Sequence, residues 1–498
     1  MDAALEPRGR RRLMDARGHK AAPFLLGWRA HGDGFDTALV ANRLSARGVA
    51  VRRLASDSGG GETGDYIVEL ETAAQTALGR LGVRLAPWDA PIPADAPALT
   101  APATLLFAGT ASKFPYYAYY SLTLLRLGIP YLPVDGKALA GDALDSANLV
   151  ILPGGFSTWG IDKAEDAPGA DRRMRDFLAE GGTAIGSCGG AFYLSAGRPD
   201  WTGTARAKPL YTHEYLQSGV GVVAVDLPPG PLAAGCPPTM EIPYYHGPVY
   251  DRIDEGLVVA GRFHALTLPG GLAIDNPLTH EKFQRDMAGQ PAILLAAGNR
   301  GRAVLFSPHP EMGDLIRKYI ALDGYVRHYL PIRGYGTMRD TLRFYRTSDA
   351  PSFRLVQNAV DHLMATARPA RLADAAAGRS DNATMLKKAC RAELAALPAF
   401  GADDEGRLLR SLVDDIAARI APAAARVAAA EASPLGGAMR ASLDHIALTA
   451  PAHWREATGR SVSQRLMELE LVVALMECWA RIVEVDEVLA QAPVQAVA

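Results

Sequence analysis

A thiol set among three glycines at the end of a short apolar run constrains this chain more than any other stretch. Residues 182–195 read Gly-Thr-Ala-Ile-Gly-Ser-Cys-Gly-Gly-Ala-Phe-Tyr-Leu-Ser. Thr183-Ala184-Ile185 suits a buried strand, Gly186-Ser187-Cys188-Gly189-Gly190 a sharp turn, and residues 191–195 open a helical pattern. A strand that turns abruptly into a helix with a reactive side chain at its apex is a nucleophile elbow. Such a turn is strained and leaves no room for Cβ atoms, which accounts for the flanking glycines. Cys188 then sits at a helix N-terminus, where the dipole favours a thiolate, and the next N–H, that of Gly189, is placed to meet an oxyanion.

A nucleophilic cysteine needs a base, and the chain supplies one downstream. Residues 302–306, Arg-Ala-Val-Leu-Phe, read as a strand and lead into Ser307-Pro308-His309-Pro310-Glu311. His309 is placed to take the thiol proton, while Glu311, two residues on, orients the ring and fixes its tautomer. A third fragment, the apolar run 149–152 followed by Pro153-Gly154-Gly155, forms a turn that brings a second N–H to the oxyanion.

These three motifs, in this order and each behind a strand, resemble the class I glutamine amidotransferase superfamily. Within it, residues 102–348 look most like the domain found at the N-terminus of eukaryotic biotin–protein ligases and in stand-alone bacterial proteins. The resemblance implies an α/β, flavodoxin-like fold with Cys188, His309 and Glu311 as a catalytic triad. It also implies oxyanion N–H groups from Gly155 and Gly189, and a substrate cleft that includes Gly154 and His246. His246 stands in Tyr244-Tyr245-His246-Gly247, similar to the His-Gly pair lining the cleft of many relatives; a strand-end histidine bonded to backbone is the alternative.

One position departs from the pattern. Glutaminases of this superfamily usually carry a glutamine four residues after the cysteine, where it helps to hold the substrate. Here that position is Phe192. A phenyl ring makes no conventional hydrogen bond, so the expected substrate is an amide other than glutamine, a small molecule or a peptide. Two functions follow: a cysteine-nucleophile amide or acyl hydrolase of amidotransferase type, or a non-catalytic module that keeps the same cleft for a ligand. Gly298-Asn299-Arg300-Gly301-Arg302 has letters related to the adenylate loop of biotin ligases, but it falls in a hairpin turn and no ligase catalytic pattern follows. Biotinylation by this chain is therefore excluded.

Around this unit the chain changes character. Residues 1–21, with Arg8, Arg10, Arg11, Arg12 and Arg17 and no apolar core, read as a solvated basic tail and not a secretory signal. Residues 22–98 read as a small α/β unit, with strands at 23–28, 49–54 and 65–70 and helices at 35–46 and 72–81. A Pro- and Ala-rich linker spans 87–102. In the next unit, strands at 104–107 and 129–134 alternate with a helix at 116–127, which implies a parallel sheet. That helix opens with four tyrosines, Tyr116, Tyr117, Tyr119 and Tyr120, expected to pack on the sheet, the alternative being that some reach a cleft at the C-terminal strand edge. Strands at 220–227, 241–245 and 257–263 read as an antiparallel extension, and 292–296 with 302–306 as a hairpin.

From about residue 370 alanine becomes frequent and strands disappear, so 370–498 read as a helical bundle with helices at 382–397, 403–432 and 455–490. Pro422 marks a kink and Pro434 a break. An apolar stripe of Leu466, Leu469, Val473 and Leu475 beside Glu468 and Glu470 fits an amphipathic last helix, able to pack, self-associate or take a protein partner.

Composition excludes several classes. With 52 basic and 54 acidic residues the net charge is −2, which argues against nucleic acid or anionic membrane as partner. Four cysteines without paired spacing give neither a disulfide framework nor a zinc site, so no metal or other cofactor is expected. A free thiol nucleophile suits a reducing compartment such as the cytoplasm. No apolar run approaches the ~18 residues of a membrane span.

Overall fold

The structure, a computed structural model of the chain, describes residues 21–32, 34–155, 159–210, 220–267, 280–298, 300–313, 315, 352–372, 381–437 and 439–491. The basic tail expected at 1–21 lies, but for its last residue, outside them.

The first unit is a four-stranded antiparallel sheet of β1 (Ala22–Leu26), β2 (Val51–Arg53), β3 (Tyr66–Leu70) and β4 (Ala86–Pro87), in the order β2-β3-β1-β4. Helices α1 (Phe35–Ala46) and α2 (Thr72–Arg80) accompany it, and residues 88–103 carry no further strand or helix.

The second unit is built on nine strands. Five are parallel neighbours: β5 (Thr104–Phe107), β6 (Tyr131–Val134), β7 (Leu149–Leu152), β8 (Thr183–Ser187) and, last along the chain, β15 (Gly301–Phe306). Between them in sequence come α3 (Tyr116–Arg126), α4 (Ala170–Ala179) and α5 (Gly189–Leu194). A short pair, β9 (Ala207–Pro209) with β12 (Tyr250–Ile253), lies off the sheet. The antiparallel half consists of β10 (Val220–Asp226), β11 (Thr239–Tyr245), β13 (Val258–Thr267) and β14 (Pro291–Gly298). The full order is β11-β10-β13-β14-β15-β8-β7-β5-β6. The expected α/β class, with a parallel sheet extended by antiparallel strands, is the fold observed.

Strand period two sorts the apolar residues to the two sheet faces. Leu106, Ile151, Ile185, Val304 and Phe306 join α3 on one side, in a core continuous with the first unit and the C-terminal helices. Leu105, Phe107, Val150, Leu152, Ala184 and Leu305 face α4 and α5 on the other. Register does the rest. Phe306 pairs with Ser187, and Leu152 with Gly186, so β15, β8 and β7 end side by side. Whatever follows those three strands emerges at one edge.

Beyond the sheet stand α6 (Phe353–Met364), α7 (Asn382–Ala395), α8 (Asp404–Glu431), α9 (Arg440–Glu456) and α10 (Val462–Gln491). The helix expected at 455–490 starts later, at Val462; residues 455–456 instead end α9, and residues 457–461, with Gly459 at φ +76°, part the two. A second difference concerns α10. Every residue from Leu466 to Val473 is buried, so over these two turns the expected stripe with a charged flank is buried all round. Glu468 and Glu470 survive burial through Arg460 at 2.8 Å and Arg419 at 3.3 Å. The α6 helix, unanticipated in the sequence, carries a buried polar face in which Asp361 accepts from Tyr66 (2.7 Å) and Gln357 (2.7 Å). Among the described residues, no helix is long and apolar enough to cross a membrane and no group of three His, Cys, Asp or Glu could hold a metal.

Candidate active site

Cys188 follows β8 at φ +50°, ψ −107°, a backbone state that costs a non-glycine residue of order 1–3 kcal/mol. The neighbours enforce it. The Cys188 N–H donates to the Phe306 carbonyl at 2.9 Å, and its own carbonyl accepts from Phe192 N–H at 2.9 Å to start α5. Close packing of strand and helix then requires glycine twice. A Cβ on Gly186 would stand 2.6 Å from the Gly190 carbonyl carbon, and one on Gly190 only 2.0 Å from the Leu152 carbonyl oxygen. Gly189 is buried as the first residue of α5, so its N–H has no acceptor within the helix.

His309 and Glu311 occupy the loop after β15, both almost fully buried. The ring Nδ1 lies 2.7 Å from Glu311 Oε1, and the His309 N–H donates to the Pro243 carbonyl at 2.8 Å. Burial by itself would lower the His309 pKa. The Glu311 carboxylate and the nearby Cys188 outweigh it, and the value is raised to about 10. Among the described residues the opposite nitrogen, Nε2, is buried with no hydrogen-bond partner. The Cys188 thiol donates to the Tyr245 carbonyl at 3.0 Å and still lies near enough to His309 to add to the upward push on the ring's pKa.

The Pro153-Gly154-Gly155 turn is shaped by its neighbours. A Cβ on Gly154 would stand 2.3 Å from His309 Cε1, so the missing side chain is the space the ring occupies. Gly155 has φ +70°, and a Cβ there would lie 2.6 Å from Cγ of Tyr116. Ser112 Oγ donates to the Gly154 carbonyl at 3.0 Å and ties the turn to the loop after β5.

Residues 117–222 match the model of the CobB/CobQ-like glutamine amidotransferase domain. That stretch, about a fifth of the chain, is similar to a glutamine amidotransferase domain. The matched stretch contains Cys188 and the Gly154-Gly155 turn; His309 and Glu311 lie beyond it. Among solved structures, a glutamine amidotransferase from Thermotoga maritima is 13% identical, with 52% of this chain and 97% of that one covered and a TM-score of 0.36. Another glutamine amidotransferase is 19% identical over 41% of this chain and 90% of its own, with a TM-score of 0.28. A β-galactosidase from Rahnella sp. R3 is 14% identical over 43% of this chain and 29% of its own, with a TM-score of 0.25. No curated protein matches the chain.

The other site candidates of the amidotransferase-like domain separate. His246, half-buried at φ +50°, follows Tyr245, and its pKa is lowered to about 4 by burial and by the His309 and Lys282 charges. It therefore stands neutral, close enough to His309 to feel its charge. Phe192 is 4% exposed and its ring packs on Trp201, with centroids 5.9 Å apart, so the side chain belongs to the core while its backbone N–H bonds the Cys188 carbonyl. Sequence reasoning passed over Tyr245. Its carbonyl holds the thiol and its ring meets His309 edge-on at 5.8 Å. Nothing in its letters marks it, because a carbonyl acts here and every residue has one.

Proposed function

We propose that this chain is a cysteine-nucleophile amide hydrolase or amidotransferase-like enzyme working through Cys188, His309 and Glu311. The observation that carries the proposal is the strained Cys188 at φ +50° beside a buried imidazole bonded to Glu311 at 2.7 Å. Backbone strain persists only where surrounding structure enforces it, and it clusters at working sites.

In the proposed cycle the Cys188 thiol gives its proton to His309 Nε2, the thiolate attacks the acyl carbon of an amide, and the carbonyl electron pair moves to oxygen. The N–H groups of Gly189 and Gly155 receive that oxyanion. With its pKa raised to about 10, His309 carries a proton at neutral pH and delivers it to the leaving nitrogen as the C–N bond breaks. Water then attacks the thioester with His309 accepting its proton, and the acid leaves as the thiolate returns. Glu311 holds the ring through Nδ1 and never transfers a proton.

With Phe192 turned into the core, position 192 offers no polar side chain to hold a glutamine, so the proposed substrate is another amide, a small molecule or a peptide, met in the cytoplasm. The finer resemblance of residues 102–348 to the biotin–protein ligase N-terminal-type domain belongs to the same proposal. A ligand-binding module is the second reading, and the thiol's resting bond to the Tyr245 carbonyl favours it.

Iodoacetamide labelling with peptide mapping, alongside a screen of amide substrates including glutamine, separates the two. The enzyme reading expects rapid stoichiometric modification of Cys188 near neutral pH and turnover that Cys188→Ala abolishes. An unreactive thiol would overturn it. Glutaminase turnover near 10⁴ M⁻¹s⁻¹, roughly the usual lower range for kcat/KM, would overturn the reading of Phe192.

A further inference from the structure

The tyrosine-rich start of α3 does more than pack on the sheet. Its four rings go to four places. Tyr116 lies over Gly155 and is 43% exposed. The Tyr117 hydroxyl bonds Thr449 Oγ1 of α9, and the Tyr119 hydroxyl reaches Met467 Sδ of α10 at 3.8 Å. Tyr120, fully buried, bonds Ser187 Oγ at 2.6 Å. Ser187 ends β8 and immediately precedes the nucleophile.

One turn further along α3, Thr123 is also fully buried. Its Oγ1 donates to the Glu311 carbonyl at 2.7 Å, shorter than its 3.1 Å contact with the Tyr119 carbonyl of its own helix. The Glu311 carboxylate lies near enough to Tyr120 to add, after burial, to the upward push on the phenol's pKa. A single rigid helix thus grips the residue before the nucleophile with one hydroxyl and the acid with another. The far side of that helix is pinned by α9 and α10.

We infer that Thr123 and Tyr120 are positioning residues of the triad, Thr123 acting through Glu311 and Tyr120 through Ser187. The inference rests on the enzyme reading above. Neither residue touches the reacting atoms. Both fix the distance between two groups that arrive from separate strands and share no covalent neighbour. An acid displaced from Nδ1 leaves the His309 proton without its anchor, and the thiolate–imidazolium pair weakens.

The test is the pH profile of Cys188 alkylation by iodoacetamide in the full chain, with thermal unfolding measured alongside. Thr123→Val, which removes the hydroxyl and keeps the shape, is expected to slow alkylation at neutral pH by about five- to tenfold and to shift the profile. Thr123→Ser should restore it, and Thr123→Ala serves should the valine variant not fold. In a Glu311→Gln background Thr123→Val should change the profile no further, because the group it acts through is gone. Tyr120→Phe should slow alkylation in both backgrounds, since it acts on the nucleophile's side. Variants that lower the melting temperature yet leave the profile unmoved would overturn the inference. A wild-type thiol that never reacts would instead overturn the enzyme reading beneath it.

Discussion

Replacing Gly154 by alanine is the sharpest perturbation of this site, because its backbone tolerates the change and its neighbour does not. Gly154 does not have the positive φ of Gly155, so an alanine adds no backbone strain there. Its Cβ would stand 2.3 Å from His309 Cε1 and 3.1 Å from Nδ1. Ordinary carbon contact begins near 3.5 Å, so the ring must retreat by roughly 1.2 Å. Overpacking of this kind costs about 1–3 kcal/mol. The fold should survive, with a lowered melting temperature. The site should not, since a displacement of about 1 Å in catalytic geometry costs on the order of 100-fold in rate. The imidazole cannot retreat freely either: its Nδ1 is held at 2.7 Å from Glu311, and the residue's backbone N–H is tied at 2.8 Å to the Pro243 carbonyl. Alkylation of Cys188 at pH 7, which needs no knowledge of the substrate, reads the outcome directly, with circular dichroism as the control for folding. A folded Gly154→Ala protein that alkylates at the wild-type rate would refute the argument that this glycine exists to seat the ring.

Other expectations follow from single contacts. Gly190→Ala drives its Cβ to 2.0 Å from the Leu152 carbonyl oxygen, backbone against backbone, and should destabilise by about 3 kcal/mol or more, seen as a drop in the urea midpoint. Glu311→Gln removes the charge that outweighs burial at His309. In the wild type the pKa is raised from 6.5 to about 10, so the stabilisation is fully present below pH 6.5 and fades as pH rises through 10. Urea midpoints measured across that window should fall for the wild type and stay flat for Glu311→Gln. Arg43 of α1 binds Asp486 of α10 through two bonds, at 2.9 and 2.8 Å, with side chains 9% and 5% exposed. Arg43→Met strands the carboxylate and should cost about 3–5 kcal/mol, whereas the double variant Arg43→Met/Asp486→Leu should recover most of it.

The division between what the letters carried and what the fold decided follows from the range of each force. Hydrophobic period and glycine placement act within a few residues. That is why strands β5 and β7, the helix α1, and the elbow around Cys188 are all legible in the chain. Residue chemistry is local too, so the thiol, the imidazole and the carboxylate two residues beyond it are legible in the chain. The break at Gly459 and the burial of Glu468 and Glu470 were not legible. A charged residue reads as surface until an arginine from another helix arrives to neutralise it, and Arg419 lies 51 residues from Glu470.

The site divides in the same way. Which groups can react is written in the chain. That β15, β8 and β7 lie side by side in register, bringing His309, Cys188 and Gly154 to one edge, is set by long-range strand pairing. Parallel neighbours are joined by crossovers of arbitrary length, so strand order leaves no periodic trace in the chain. Phe192 shows the converse. Its spacing from Cys188 pointed to the cleft, but packing set its ring against Trp201, because a phenyl group gains more from an apolar layer than from a polar site. Tyr245, Thr123 and Tyr120 acquire their roles through a carbonyl and two hydroxyls. Such groups are common along any chain, and they become specific only when folding places one acceptor or donor within about 3 Å.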